Sequence, residues 1–185
     1  MKKMFVLIPG ILLFLGSATA FTDDAGTRHL KVHLTGYQET PLALSTTGNG
    51  RFHATISRDE TEIAWTLAFG DTEGTVTQSH IHFGARGQTG GISVFLCSNL
   101  GNGPAGTQSC PASATDENPV TGTAVAANVI GPAGQGISAG EFAELIAAIR
   151  AGVAYVNVHS TKYPGGEIRA QFPPHDHGSD HDHHD

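Results

Sequence analysis

Charge is sparse in this 185-residue chain, at 15% of residues, and basic charge is sparser still. Ten Lys and Arg face 17 Asp and Glu, a formal net charge of −7 with histidine neutral. That balance argues against nucleic acid or an anionic membrane as a partner. Long apolar runs are missing. The run from Met4 to about Leu15 falls short of the ~20 residues that span a bilayer comfortably. Familiar catalytic patterns are missing too. There is no Ser-His-Asp arrangement with supporting context, no phosphate loop, and no carboxylate pair placed for acid–base chemistry. Cysteine is limited to Cys97 and Cys110.

What is present is a globular composition. The length fits one domain and can bury an adequate core without a metal or disulfide to hold it. A hydrophobic content of 39% excludes wholesale disorder. Glycine is abundant at 24 residues, and histidine is the anomaly at 11.

The first 20 residues read as a secretory signal. Lys2 and Lys3 precede the apolar run, and Ala18-Thr19-Ala20 has the small-x-small form of a cleavage site. The competing reading is an uncleaved N-terminal anchor. Cleavage after Ala20 would leave a domain over 21–172 and a tail over 173–185, with eight basic and 17 acidic residues and a net charge of about −9. Export, to a periplasm or to the medium, favours a disulfide between Cys97 and Cys110 around a polar, glycine-rich loop. The alternative is a cysteine metal ligand.

Most of the chain alternates with period two, the strand signal. Apolar sets at Leu30/Val32/Leu34, Phe52/Ala54/Ile56, Ile63/Trp65/Leu67/Phe69, Ile81/Phe83, Ile92/Val94/Leu96, Val156/Val158 and Ile168/Ala170/Phe172 are separated by Gly- and Asp-rich turns. One segment differs. Ser138 and Glu141 have capping-box spacing. Phe142, Leu145, Ile146 and Ile149 then follow helical spacing, and Gly152 is a left-handed stop. The pattern predicts an all-β fold, an antiparallel β-sandwich or flattened Greek-key barrel, with one short helix over one end.

Residues i and i+2 of a strand share a face, so His80 and His82 project together. His159, His53 and His33 lie on the polar parity of other strands. The pattern predicts convergence on the outer surface of the sheet if those strands are neighbours. Imidazoles without thiolate suit copper or zinc. The candidate ligands are His80, His82 and His159, with His53 as a fourth; the alternative is solvated surface histidine. The tail carries His175, His177, His181, His183 and His184 interleaved with Asp. Such a tract should bind divalent transition metals weakly, or serve only as a solubilising tail.

Several segments together resemble the CHRD (chordin-type) domain family in its bacterial exported form. They are Leu34-Thr35-Gly36-Tyr37-Gln38-Glu39-Thr40-Pro41, Ser79-His80-Ile81-His82-Phe83-Gly84, and Gly90-Gly91-Ile92-Ser93-Val94-Phe95-Leu96-Cys97. Further along come Ala151-Gly152-Val153-Ala154-Tyr155-Val156-Asn157-Val158-His159-Ser160 and Tyr163-Pro164-Gly165-Gly166-Glu167-Ile168-Arg169. The resemblance implies an extracellular β-module with no attributed catalysis. The His-x-His strand joined by a later strand histidine is also similar in ligand type to copper–zinc superoxide dismutase, although the zinc-site Asp loop of that enzyme is absent. If a coordination position stays open, copper redox cycling such as superoxide dismutation is an extension of this reading. Glu167 and Arg169 share parity and could orient a histidine by hydrogen bonding, or simply pair with each other. The reading from a different class is an extracytoplasmic interaction or structural module that docks a protein partner at a sheet edge, with incidental metal binding by the tail.

Overall fold

The computed structural model describes residues 29–174. The expected signal segment, and the tail histidines His175, His177, His181, His183 and His184, lie outside these residues.

Among the described residues eight strands form one antiparallel sheet. They are β1 (His29–Thr35), β2 (Asn49–Ile56), β3 (Ile63–Gly70), β4 (Val76–Phe83), β5 (Gly91–Ser98), β6 (Val120–Ala124), β7 (Ala154–Ser160) and β8 (Ile168–Gln171). The spatial order is β5-β4-β7-β8-β1-β2-β3-β6, and the sheet curls into a nearly closed barrel. The alternation read from the sequence sets which side chains face inward: Leu30, Val32, Leu34, Phe52, Ile56, Ile63 and Leu67 are all buried in one core. Phe52 sits at its centre, 5.6 Å from Phe172 and 6.4 Å from Trp65 between ring centroids.

The strand that periodicity did not reveal is β6. Its sequence, Val-Thr-Gly-Thr-Ala, has no apolar alternation and a glycine in the middle. Gly122 is there because the Trp65 indole lies on it. A Cβ at that position would fall 2.5 Å from Trp65 Cζ2, the close approach that a strand glycine often marks.

The barrel's gap, between β5 and β6, is bridged by one side chain. Gln108 Nε2 donates to Leu96 O on β5 and to Thr121 O on β6. Gln108 belongs to the loop closed by the Cys97–Cys110 disulfide, so the expected pairing is present. That bond also takes both thiols out of consideration as metal ligands.

The helix α1 (Phe142–Arg150) follows its expected stripe, with Phe142, Leu145, Ile146 and Ile149 buried. Only half of the capping box forms: Glu141 Oε2 accepts from the Ser138 N–H, while no side chain caps the first turn. Gly152 ends the helix at φ 69°. Arg150 pairs with Glu60 in the β2–β3 turn, which places α1 at that end of the barrel. Among the described residues no helix is long and apolar enough to cross a membrane.

Strands β1, β2 and β3 bury one face and leave the other open, but β7 and β8 are buried on both. Their inner face is apolar: Val156, Val158, Ile168 and Ala170. Their outer face is polar: Tyr155, Asn157 and His159 on β7, Arg169 and Gln171 on β8. Segments 36–48, 84–90 and 161–167 supply the partners of this polar face and so cover it. Their contacts are described below.

Candidate metal centre

Register places the polar face as a grid. His80 on β4 lies opposite Asn157 on β7, which lies opposite Arg169 on β8. His82 lies opposite Tyr155, which lies opposite Gln171. His159 is two residues along β7 from Asn157, on the same face. Irregular register in the β4–β5 pair next to His80 and His82 re-aims this stretch of β4.

The three imidazoles converge. One nitrogen from each of His80, His82 and His159 lies within 4.8 Å of the others, and among the described residues this is the only such group of three or more ligand side chains. Ring centroids are 5.2 Å apart for His80–His82, 5.0 Å for His80–His159 and 5.9 Å for His82–His159. They share the outer face of the sheet, as parity predicts, but the alternative of solvated surface histidine does not hold for them: His80 is 0% exposed, His82 7% and His159 6%. Period two reports which face a side chain takes, and here loops cover that face.

The covering loops fix two of the rings. His82 Nδ1 lies 3.0 Å from Gly90 O, and His159 Nδ1 lies 2.9 Å from Pro164 O. A carbonyl only accepts, so each Nδ1 carries a proton and each neutral ring presents its Nε2 lone pair. His80 Nδ1 sits 3.2 Å from His159 Nε2. Because His159 Nε2 carries the lone pair, His80 Nδ1 donates to it, and the other nitrogen of His80, Nε2, is left unprotonated. Nε2 of His80 and Nε2 of His82 are buried with no partner. Orphaned buried acceptors of this kind need an explanation, and a bound cation supplies one.

Electrostatics favour neutral rings. Burial, then the neighbouring His159 and His82, pushes the pKa of His80 down to about 2. Burial lowers His82 to about 4, against the opposing hydrogen bond to Gly90. Burial lowers His159 as well. All three are therefore unprotonated at neutral pH and need release no proton to ligate.

Around the triad lies a buried polar network that sequence reading did not anticipate. Tyr155 stacks on His82, and Arg169 lies over the Tyr155 ring. Asn157 Nδ2 donates to Glu39 Oε1 at 2.9 Å. Burial raises the pKa of Glu39 to about 7, although Arg169 pulls it the other way. Tyr155 and Asn157 carry the parity of His159, which was the signal available for them. Glu39 comes from a loop, where no periodicity points.

The other candidates separate. His53 stands exposed on β2, with β7, β8 and β1 between that strand and β4. The structure does not bring it to the triad, because its parity matches but its strand is remote. His33 on β1 is likewise exposed. Arg169 and Glu167 make no salt bridge with each other. Arg169 donates to Thr40 Oγ1, Gln88 O, Ala85 O and Gln171 Oε1. Glu167 Oε1 accepts from Thr46 Oγ1 and the Glu73 N–H. Arg169 reaches His82 through the Tyr155 ring; Glu167 makes no hydrogen bond to a histidine.

Residues 30–172 match the family model described as the CHRD domain. No curated protein and no solved structure matches the chain.

Proposed function

The chain belongs to the CHRD domain family, and we propose that it is an exported member that binds one transition metal ion through His80, His82 and His159. The observation that carries this reading is the convergence of three buried, neutral imidazoles, two of them with Nε2 atoms that have no partner. Copper is favoured and zinc is the alternative, because the donor set is nitrogen without thiolate and copper stands highest in affinity among the divalent ions. Bound copper would supply one-electron redox chemistry, and superoxide dismutation is the activity to assay if a coordination position stays open. The chain's own residues orient the rings through Gly90, Pro164 and Tyr155 and shield them from water.

The Cys97–Cys110 disulfide fits an oxidising compartment, in keeping with the secretory-type first 20 residues. The His/Asp tail would gather metal near the domain by tethering, which raises local concentration without a new contact.

The test is metal analysis of the full chain with His175, His177, His181, His183 and His184 all replaced by Ser, exposed to copper and zinc in competition. About one copper per chain, lost on His80→Ala with His82→Ala, is the expected result. A metal-free, folded chain whose melting temperature ignores copper would overturn it and leave an interaction module as the better description.

A further inference from the structure

We infer that the side-chain carbonyl of Asn157 supplies an oxygen donor to the metal held by His80, His82 and His159. This deepens the metal-binding reading and rests on it.

Position comes first. Asn157 is directly opposite His80 across the β4–β7 pair and two residues from His159 on the same face. It is diagonal to His82, whose own partner is Tyr155. Asn157 therefore adjoins all three ligand positions of the grid, within the ~5–8 Å over which direct and diagonal neighbours on a sheet face interact.

The state of its amide comes second. Asn157 is 2% exposed, and its Oδ1 is buried without a partner. An unpaired buried carbonyl is costly, and here it shares a face with the unpartnered Nε2 atoms of His80 and His82. The amide is also held. Nδ2 donates to Glu39 Oε1, and a Cβ on Gly166 would lie 2.2 Å from that nitrogen, so glycine there makes room for the amide. With the nitrogen committed to Glu39, the oxygen is the end left over.

Chemistry comes third. An amide oxygen is a neutral donor that could join imidazole nitrogens around a transition metal. Glu167 has an unpartnered oxygen too, Oε2. It lies on the far side of β7 from His80 and His82, and its other oxygen is held by Thr46 and Glu73.

The experiment adds copper(II) alone to the full chain with the five tail histidines replaced by Ser, and compares it with Asn157→Ala and Asn157→Asp in that background. Affinity is read by competition, and the ligand field by electron paramagnetic resonance. Asn157→Ala should keep one copper, bind it about 10-fold or more weakly, and shift the spectrum. Asn157→Asp, with an anionic oxygen in the same place, should bind more tightly than the parent. A residue that merely positions Glu39 would give the opposite pattern with Asp, since the new carboxylate faces the old one. If Asn157→Ala does not fold, the Asp variant decides alone. Parent-like affinity and spectrum in Asn157→Ala, or weaker binding in Asn157→Asp, would overturn the inference while leaving the triad intact. A parent chain that takes up no copper would instead overturn the metal reading itself.

Discussion

His82 and Tyr155 stack face to face across the β4–β7 pair, with ring planes 3° apart and centroids 4.7 Å apart. Arg169 on β8 lies 3.5 Å from the centre of the same phenol. Three flat groups from three adjacent strands thus form one column that ends on a metal-binding candidate. Gly90 ties the column together: its N–H donates to the tyrosine oxygen at 3.1 Å, and its carbonyl faces His82 Nδ1.

The ring, more than the hydroxyl, should hold this column. Tyr155→Ala removes a large buried side chain and should cost ~3–5 kcal/mol, the range for truncating a core aromatic. Tyr155→Phe keeps the stack and loses the hydroxyl's two contacts with Gly90, at 3.1 Å from its N–H and 3.4 Å to its carbonyl, a cost of ~1–2 kcal/mol. Urea unfolding of the metal-free chain measures both. Equal losses would show that the Gly90 hydrogen bond, and not the stack, is what matters.

His53 provides the sharpest contrast with the triad. It shares the polar parity that singled out the others, yet it stands exposed on β2. Once the tail histidines are replaced, His53→Ala should leave copper stoichiometry and affinity unchanged, with stability within ~0.5 kcal/mol, as for an ordinary surface site. Isothermal titration with copper checks this, and a clear drop in affinity would require a different ligand set.

The fate of these two histidine classes shows what the sequence makes legible. Alternation in His29–Thr35 or Asn49–Ile56 reports faces directly, because one face meets the core and the other meets water. In Ala154–Ser160 the same alternation separates Val156 and Val158 from Tyr155, Asn157 and His159, but nothing in it says that both sets are buried. Burial of the second set depends on Glu39, Gly90 and Pro164, which reach it from loops distant in sequence. Strand order is equally non-local: His-x-His on β4 meets His159 only because β7 inserts beside β4. Thus the pair His80/His82 was legible from spacing, while the exclusion of His53 and the inclusion of Glu39 and Asn157 required the fold.

The disulfide loop should matter for the barrel's gap. Cys97 and Cys110 are 13 residues apart, and Gln108 within their loop bridges β5 to β6. Replacing both cysteines by Ser should cost ~3 kcal/mol on the loop-closure model. It should also speed hydrogen exchange at β5 and β6 ahead of the other strands. Uniform exchange across all eight strands would mean that the loop does not seal the gap.

The metal-free chain should gain stability as pH rises to about 7 and change little above that. His80 and His82 have folded pKa values of about 2 and about 4, and His159 is also lowered, all from an ordinary 6.5. As pH falls below about 6.5 the unfolded chain takes up protons that the folded chain refuses, so stability falls. Glu39 acts in the other direction. Its folded pKa of about 7 lies above the ordinary 4.5, so the folded chain holds a proton that the unfolded chain releases. Stability is lost as pH rises from about 4.5 through 7, by about 3 kcal/mol in all. Between 4.5 and 6.5 three histidines oppose one carboxyl, and the net slope follows the histidines. The profile should therefore fall steeply on the acid side and stay nearly flat above about pH 7, where the remaining histidine and carboxyl contributions cancel. Glu39→Gln removes the opposing carboxyl and should steepen the rise between about pH 4.5 and 7. Denaturant midpoints from pH 4 to 9 test this, and a rise left unchanged by Glu39→Gln would show that this buried carboxyl does not titrate there.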